Sequence, residues 1–255
     1  MTTALVGYTG FVGATLDRML NPTARFRSTN IDDIRGQSFE HVICAGVQAK
    51  KWWANLYPDE DWAGITRLLD ALASVKSDRF TLISTIDVYP EPRYVDENTS
   101  IIMAGHHPYG LNRLKIEWQI RECFSRVVIL RLPALFGPGL KKNVIFDMLT
   151  NNQLDKVHPD SMFQYYDTRR LAGDISRAWE YKIDLINVTS EPVATSEIRD
   201  RYFLDKQLRA SSMVPIVYDM RSLYDYLWNG SGGYLYSLEQ VMRDLGDYLR
   251  SIKYL

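Results

Sequence analysis

The chain has 255 residues, 46% apolar and 24% charged, with a formal net charge of −1 and both signs mixed throughout. This excludes a nucleic-acid-binding stripe and a polybasic membrane patch, and no apolar run approaches the roughly 20 residues of a membrane-spanning helix. Two distant cysteines, Cys44 and Cys123, exclude a disulfide framework and a zinc site, so no metal is expected.

The opening residues lack a basic segment followed by a long apolar one and read as a first strand, which makes the cytoplasm the expected location. That strand covers residues 4–7. A helix follows over 11–20, closed by Asn21-Pro22. Residues 26–29 form a second, weaker strand, and 40–45 a third. A helix over 59–75 carries Ile65, Leu68, Leu69 and Leu72 on one face. Next come a strand over 79–84, a helix over 109–124 and a strand over 126–131. After Gly137 the rhythm loosens: a helix over 144–149, another over 168–181, a strand over 184–188, and one or two amphipathic helices over 234–255. Strands alternating with helices imply a parallel sheet covered on both faces.

Gly7-Tyr8-Thr9-Gly10-Phe11-Val12-Gly13 has GxxGxxG spacing directly between a strand and a helix. In that context the first glycine permits a tight turn, the second lets backbone approach a pyrophosphate, and the third lets helix and strand pack closely. The helix start adds free N–H groups and a positive dipole end for phosphates. Gly7, Thr9, Gly10, Phe11, Val12 and Gly13 are therefore candidate cofactor-binding residues. The plain alternative is a turn shaped by glycines. An acidic residue about 20 positions on usually holds the adenosine ribose; here Asn30 stands nearest, with Arg25, Arg27 and Arg35 around it. The missing carboxylate and the arginines favour NADP over NAD, unless those arginines are merely solvated.

A strand end, Ser84-Thr85-Ile86-Asp87-Val88-Tyr89, is followed further along by Tyr109-Gly110-Leu111-Asn112-Arg113-Leu114-Lys115-Ile116-Glu117. A phenol titrates near ~10, so Tyr109 needs help to exchange protons at neutral pH. A cation at i+4, Arg113, shares its helix face. Tyr109 could instead be one of many packing aromatics, since the chain has sixteen tyrosines. Asp87 is a second candidate, or a simple strand cap. His106 and His107 read as a surface turn, the alternative being residues that line the mouth of an active site. Trp52 and Trp53 read as packing or lid residues.

These two segments, with the glycine turn, resemble the NAD-dependent epimerase/dehydratase family, the extended or atypical short-chain dehydrogenases. The resemblance implies an α/β, Rossmann-type doubly wound parallel sheet with a small C-terminal substrate lobe. It implies NAD or NADP as cofactor, Thr85 orienting the substrate oxygen, Tyr109 as acid/base, and Arg113 standing where the family has Lys. Ala45 and Gly46 resemble the loop beside the cofactor, and Pro133 would lie near the nicotinamide. Asp87 stands where sugar-nucleotide dehydratases carry an Asp-Glu pair, and one carboxylate of that pair is missing. Lys141, Lys142 and Asn143, before a helix, are candidates for a substrate diphosphate, or equally a solvated loop. The trimmed segment from Asn30 to Val42 is similar to the dTDP-4-dehydrorhamnose reductase branch.

The expected domains are 1–139 with 166–189 for the dinucleotide and 140–165 with 190–255 for the substrate. The resemblance implies an oxidoreductase or epimerase acting on a nucleotide sugar, working as a homodimer through the helices over 59–75 and 109–124. Two alternatives stay open. One is a dinucleotide-binding sensor or assembly partner with lost catalysis, suggested by Arg113 and by Ala134 in place of a family asparagine. The other is a reductase of a non-sugar carbonyl.

Overall fold

The computed structural model describes residues 2–209 and 214–254. Met1, residues 210–213 and Leu255 lie outside the described residues, and with them part of the lobe expected over 190–255 and the end of its last helix. The chain divides into two units. One takes the residues up to Glu91, Ser100–Arg131 and Arg170–Ile186; the other takes Pro92–Thr99, Leu132–Arg169 and the described residues from Asn187 on. This partition puts residues 92–99, 132–139, 166–169 and 187–189 in the second unit, where the sequence division has them in the first.

The first unit is built on a six-stranded parallel sheet of Rossmann type. Its strands run in the order Leu185–Asn187, Val127–Leu132, Lys76–Thr85, Ser38–Cys44, Thr3–Val6 and Ala24–Phe26. Val127–Leu132 is buried at every position, as a strand covered on both faces must be. From Thr3–Val6 the chain passes to Ala24–Phe26 on one side, then returns to Ser38–Cys44 on the other. Neighbouring connections therefore leave in opposite directions beside Thr3–Val6, which opens a crevice at the carboxyl ends of the strands. Residues 27–37 hold only a 3-10 turn, Ile31–Ile34. Ala24–Phe26 is the sheet edge.

Helices cover this sheet. In Pro58–Leu72 proline stands in the first turn, with Asp59, Glu60 and Asp61 beside it. Proline presets φ there, and the carboxylates complement the helix dipole. Ile65, Leu68, Leu69 and Leu72 are all buried, as their spacing predicts. Each contributes about 1.5–3 kcal/mol by leaving water. Phe80 and Phe124 stack with ring centres 4.3 Å apart.

Some elements differ from expectation. The second strand stops at Phe26 because Asn30 folds the chain over, its Oδ1 accepting from Arg27 N–H at 2.7 Å. A helix over Lys51–Leu56 was not foreseen. It ends at Tyr57, which leaves the helical region at φ −128° and ψ 67°, as the residue before a proline is disfavoured from staying helical. Lys76–Thr85 begins three residues before the expected strand.

The second unit carries three two-stranded pairings. Ala134–Phe136 lies parallel to Tyr165–Asp167, Arg93–Val95 parallel to Asp219–Met220, and Met162–Phe163 antiparallel to Val193–Ala194. The tail is one helix, Leu238–Ser251, opened by a capping box between Ser237 and Gln240.

Candidate active site

Three neighbouring strands end on the same side of the sheet, the third running on past its partners to Thr85. Val6 pairs with Cys44, and Cys44 with Leu82. Gly7, Ala45 and Ser84-Thr85 therefore emerge side by side at one edge of the sheet. Gly7 has φ +85°, and a Cβ there would sit 2.4 Å from the Ala45 carbonyl oxygen. A Cβ on Gly13 would sit 2.0 Å from the Gly7 carbonyl oxygen. The turn thus has no room for side chains at either position. Gly10 precedes the helix Phe11–Leu20 without a side-chain cap, so the first-turn N–H groups of Phe11, Val12 and Gly13 lack intrahelical acceptors. Thr9 and Gly10 are exposed beside them.

Asn30 is used locally. Besides the bond to Arg27 N–H, its Nδ2 donates to the Arg25 carbonyl at 3.2 Å. Arg25 pairs with Asp17 at 2.6 Å, and Arg35 with Asp32 at 3.0 Å. Arg27 is exposed and donates to Thr29 Oγ1.

At the next strand end, Thr85 Oγ1 accepts from Asp87 N–H at 3.2 Å and so caps a 3-10 turn over Ile86–Val88. Asp87 pairs with Lys51 at 2.7 Å. The Tyr109 helix, Pro108–Cys123, starts against this turn. A Cβ on Gly110 would lie 2.0 Å from the Asp87 carbonyl oxygen, so the Tyr-Gly pair of the motif is a steric requirement. His107 caps the helix by accepting from Gly110 N–H at 3.0 Å. His106 is buried and bonded to the Val88 carbonyl at 2.7 Å; the pair is thus a packed helix entry and not a surface turn. Trp52 is exposed, and Trp53 packs against Tyr57.

Tyr109 is buried, its main-chain N–H held by Asn55 Oδ1 at 2.9 Å. The guanidinium of Arg113 covers the face of its ring. That guanidinium is buried and paired with Asp61: Nη1 donates to Oδ2 and Nη2 to Oδ1, the latter at 2.8 Å. Nη2 also donates to the Gln48 carbonyl, and Asn112 Nδ2 supports Asp61 at 2.9 Å. Burial pushes the Tyr109 phenol above its ordinary value, with Arg113 pulling the other way.

Beneath the motif, Glu117 accepts from Ser84 Oγ at 2.5 Å and pairs with Arg131 at 2.6 Å. Arg131 reaches on to Tyr89 Oη at 2.7 Å. One buried network thus ties both halves of the motif to the central strand. Asp61, Lys51, Asn55 and this network escaped the sequence reading, although Glu117 and Tyr89 stand within the motif itself.

Pro133, Lys141, Lys142 and Asn143 belong to the second unit. Pro133 is buried, and the two lysines are exposed. Asn143 caps the helix Val144–Thr150 by accepting from Phe146 N–H at 3.1 Å, and donates to the Leu135 carbonyl at 2.8 Å.

A profile of the NAD dependent epimerase/dehydratase family matches residues 24–190. The chain belongs to the NAD dependent epimerase/dehydratase family. For this epimerase/dehydratase family member no curated protein matches in sequence. Solved structures share its fold. A dTDP-4-dehydrorhamnose reductase from Clostridium acetobutylicum is 16% identical with a TM-score of 0.77, covering 99% of this chain and 100% of that one. A UDP-glucuronic acid 4-epimerase from Bacillus cereus, in complex with a fluorinated UDP-sugar and NAD, is 16% identical at 0.71, covering 99% and 100%. A dTDP-4-dehydrorhamnose reductase from Bacillus anthracis in complex with NADP is 15% identical at 0.73, covering 98% and 99%.

The family's cofactor is a nicotinamide dinucleotide, NAD or NADP, and the residues present fit it. The cradle at Gly7 and Gly13 admits no side chain, the helix start beside it has no side-chain cap, and the buried Arg113 Nε is a donor with no acceptor among the described residues.

Proposed function

We propose that this chain is an NAD(P)-dependent oxidoreductase that reduces or epimerises a nucleotide-linked sugar. The observation that carries this reading is the meeting, at one edge of the sheet, of the glycine cradle with the strand end that holds Thr85 and abuts the Tyr109 helix. The family match supports the reaction class, and the UDP-sugar held by the Bacillus cereus epimerase supports the substrate class.

In this reading Gly7, Thr9, Gly10, Phe11, Val12 and Gly13 hold the pyrophosphate through main-chain N–H groups. Asn30 shapes the loop at the adenosine end. Ala45, Gly46 and Pro133 flank the nicotinamide side. Bound NAD(P) supplies the hydride donor or acceptor. Thr85 orients the substrate oxygen, and Tyr109 holds or moves the proton at its phenol oxygen. Arg113 fixes the Tyr109 ring and offers Nε to the ribose. Lys141, Lys142 and Asn143 are assigned to the substrate diphosphate. Asp87 alone cannot replace a pair of carboxylates, which argues against dehydration. A homodimer and a cytoplasmic location belong to the same proposal.

The test is titration with NADH and NADPH, then turnover of dTDP- and UDP-linked keto-sugars. Micromolar cofactor binding with turnover removed by Tyr109→Phe is the expected result. Binding without turnover on any sugar nucleotide would favour the sensor or the non-sugar reductase, and no binding at all would overturn the reading.

A further inference from the structure

The first unit carries a cavity at the end of its sheet opposite the glycine turn. Gly7, Ala45 and Thr85 stand at the carboxyl ends of their strands. This cavity lies where the strands begin: Glu40 is early in Ser38–Cys44, Ser77, Asp78 and Arg79 are early in Lys76–Thr85, and Ser125 and Arg126 directly precede Val127–Leu132. These six residues line a volume of about 390 Å³. Ligand pockets run from roughly 300 to 1,000 Å³, so the cavity suits a small molecule.

Both of its arginines are set over one ring. The guanidinium carbons of Arg79 and Arg126 lie 5.6 and 5.7 Å from the ring centre of the half-buried Trp179, on helix Leu171–Glu180. That indole is pinned. Its Nε1 donates to Thr81 Oγ1 at 2.9 Å, the same hydroxyl is bonded to His41 Nε2 at 2.8 Å, and His41 packs edge-on against the ring. Resting on a ring uses the charge of a guanidinium and none of its N–H donors. Among the described residues neither arginine makes a side-chain hydrogen bond or an ion pair, although Glu40 and Asp78 line the same cavity. Two like charges over one ring repel, and an anion that accepts from both relieves that repulsion. The other lining groups ask for hydroxyls. Glu40 accepts from the Thr2 main-chain N–H, and Ser77 Oγ donates to the Arg79 carbonyl at 2.6 Å; both keep lone pairs, as Asp78 does, and Ser125 can donate or accept.

We propose that this cavity binds a monosaccharide phosphate, its phosphate on Arg79 and Arg126 and its hydroxyls on Glu40, Asp78, Ser77 and Ser125. Free guanidinium donors match phosphate oxygens in paired, charge-assisted bonds. A bare inorganic anion would leave the two carboxylates facing it, and an uncharged sugar would leave the arginines unmatched. The site lies at the opposite end of the strands from the glycine turn, and it does not depend on the oxidoreductase reading above.

The experiment is a calorimetric titration of the full chain with glucose 6-phosphate, glucose and inorganic phosphate at constant ionic strength. Glucose 6-phosphate is expected to bind at least about tenfold more tightly than either fragment. Arg126→Ala, at an exposed position, and Arg79→Lys, which keeps the charge but loses the planar fork, should each weaken it by about tenfold or more. Trp179 gives a second readout: its indole N–H resonance, identified by its loss in Trp179→Phe, shifts on addition of glucose 6-phosphate and not of glucose. Equal affinity for inorganic phosphate alone, binding that both arginine variants leave intact, or no binding of glucose 6-phosphate at millimolar concentration overturns the proposal. Failure to bind NADPH would overturn the oxidoreductase reading instead, and the titration still decides the cavity because it needs no cofactor.

Discussion

Arg131 closes on the carboxylate of Glu117 with three hydrogen bonds inside the first unit, two from Nε at 3.1 and 3.3 Å and one from Nη2 at 2.6 Å. Both side chains are almost fully buried. Burial opposes the Arg131 charge, yet Glu117 and Tyr89 more than offset it and hold its pKa above the ordinary value. Removing one partner leaves the other charge buried alone. Glu117→Ala is expected to lose about 3–5 kcal/mol in urea unfolding, and Glu117→Leu combined with Arg131→Met to recover most of it. A single-variant loss below about 1 kcal/mol, the range of an exposed pair, would show that the network does not hold the motif together.

That network also shows what the sequence could and could not display. The glycine turn was legible because its requirement is local: Gly7 and Gly13 face backbone, and only glycine fits. The helix Pro58–Leu72 was legible from its apolar period and its proline start. Thr85 and Tyr109 were legible as a spaced motif. Asp61 was not, because three acids share its helix turn and its partner stands 52 positions away. Lys51 lies on a helix of six residues, too short for a period to show. The second unit stayed indistinct for a related reason: its pairings are two or three residues long and join distant segments, such as Met162–Phe163 with Val193–Ala194.

The cradle predicts a contrast among glycines. Gly7→Ala forces a Cβ against the Ala45 backbone at positive φ, which costs about 1–2 kcal/mol from the backbone alone and displaces the loop beside it. NAD(P)H binding, followed by calorimetry, should weaken at least about tenfold, the equivalent of about 1.4 kcal/mol. Gly64 and Gly173 lie within helices with nothing close to a Cβ. Alanine at either should stabilise by roughly 0.5–1 kcal/mol and leave binding unchanged. Equal binding in Gly7→Ala and wild type would remove the turn from the cofactor site.

A buried histidine sets a pH dependence. His41 is bonded to Thr81 Oγ1 at 2.8 Å and packs edge-on against Trp179. Burial, helped by Arg79, lowers its pKa to about 4. The unfolded chain binds this proton near ~6.5, so between the two values the unfolded state holds more protons. The stability is fully present above pH ~6.5 and lost as pH falls towards 4, by roughly 2–4 kcal/mol. Urea midpoints measured from pH 7 to pH 4 should fall more steeply in wild type than in His41→Gln. Parallel slopes would mean that His41 charges equally well in the folded protein.

The choice between NAD and NADP turns on one arginine of three. A 2′-phosphate needs a cation whose charge is not already compensated. Arg25 is held by Asp17, the Pro22 carbonyl and Asn21. Arg35 is held by Asp32 and the Asp70 carbonyl. Among the described residues Arg27 forms no ion pair; it is exposed, follows the strand Ala24–Phe26 directly and touches only the neighbouring Thr29 hydroxyl with its side chain. A charge-assisted bond to phosphate is worth about 1.5–3 kcal/mol, or about ten- to a hundredfold in affinity. Arg27→Ala should therefore weaken NADPH by that factor and leave NADH within about twofold, as read by calorimetry on the two cofactors side by side. If both weaken alike, Arg27 acts on the loop that Asn30 folds, and the preference must be sought in another part of the adenosine site.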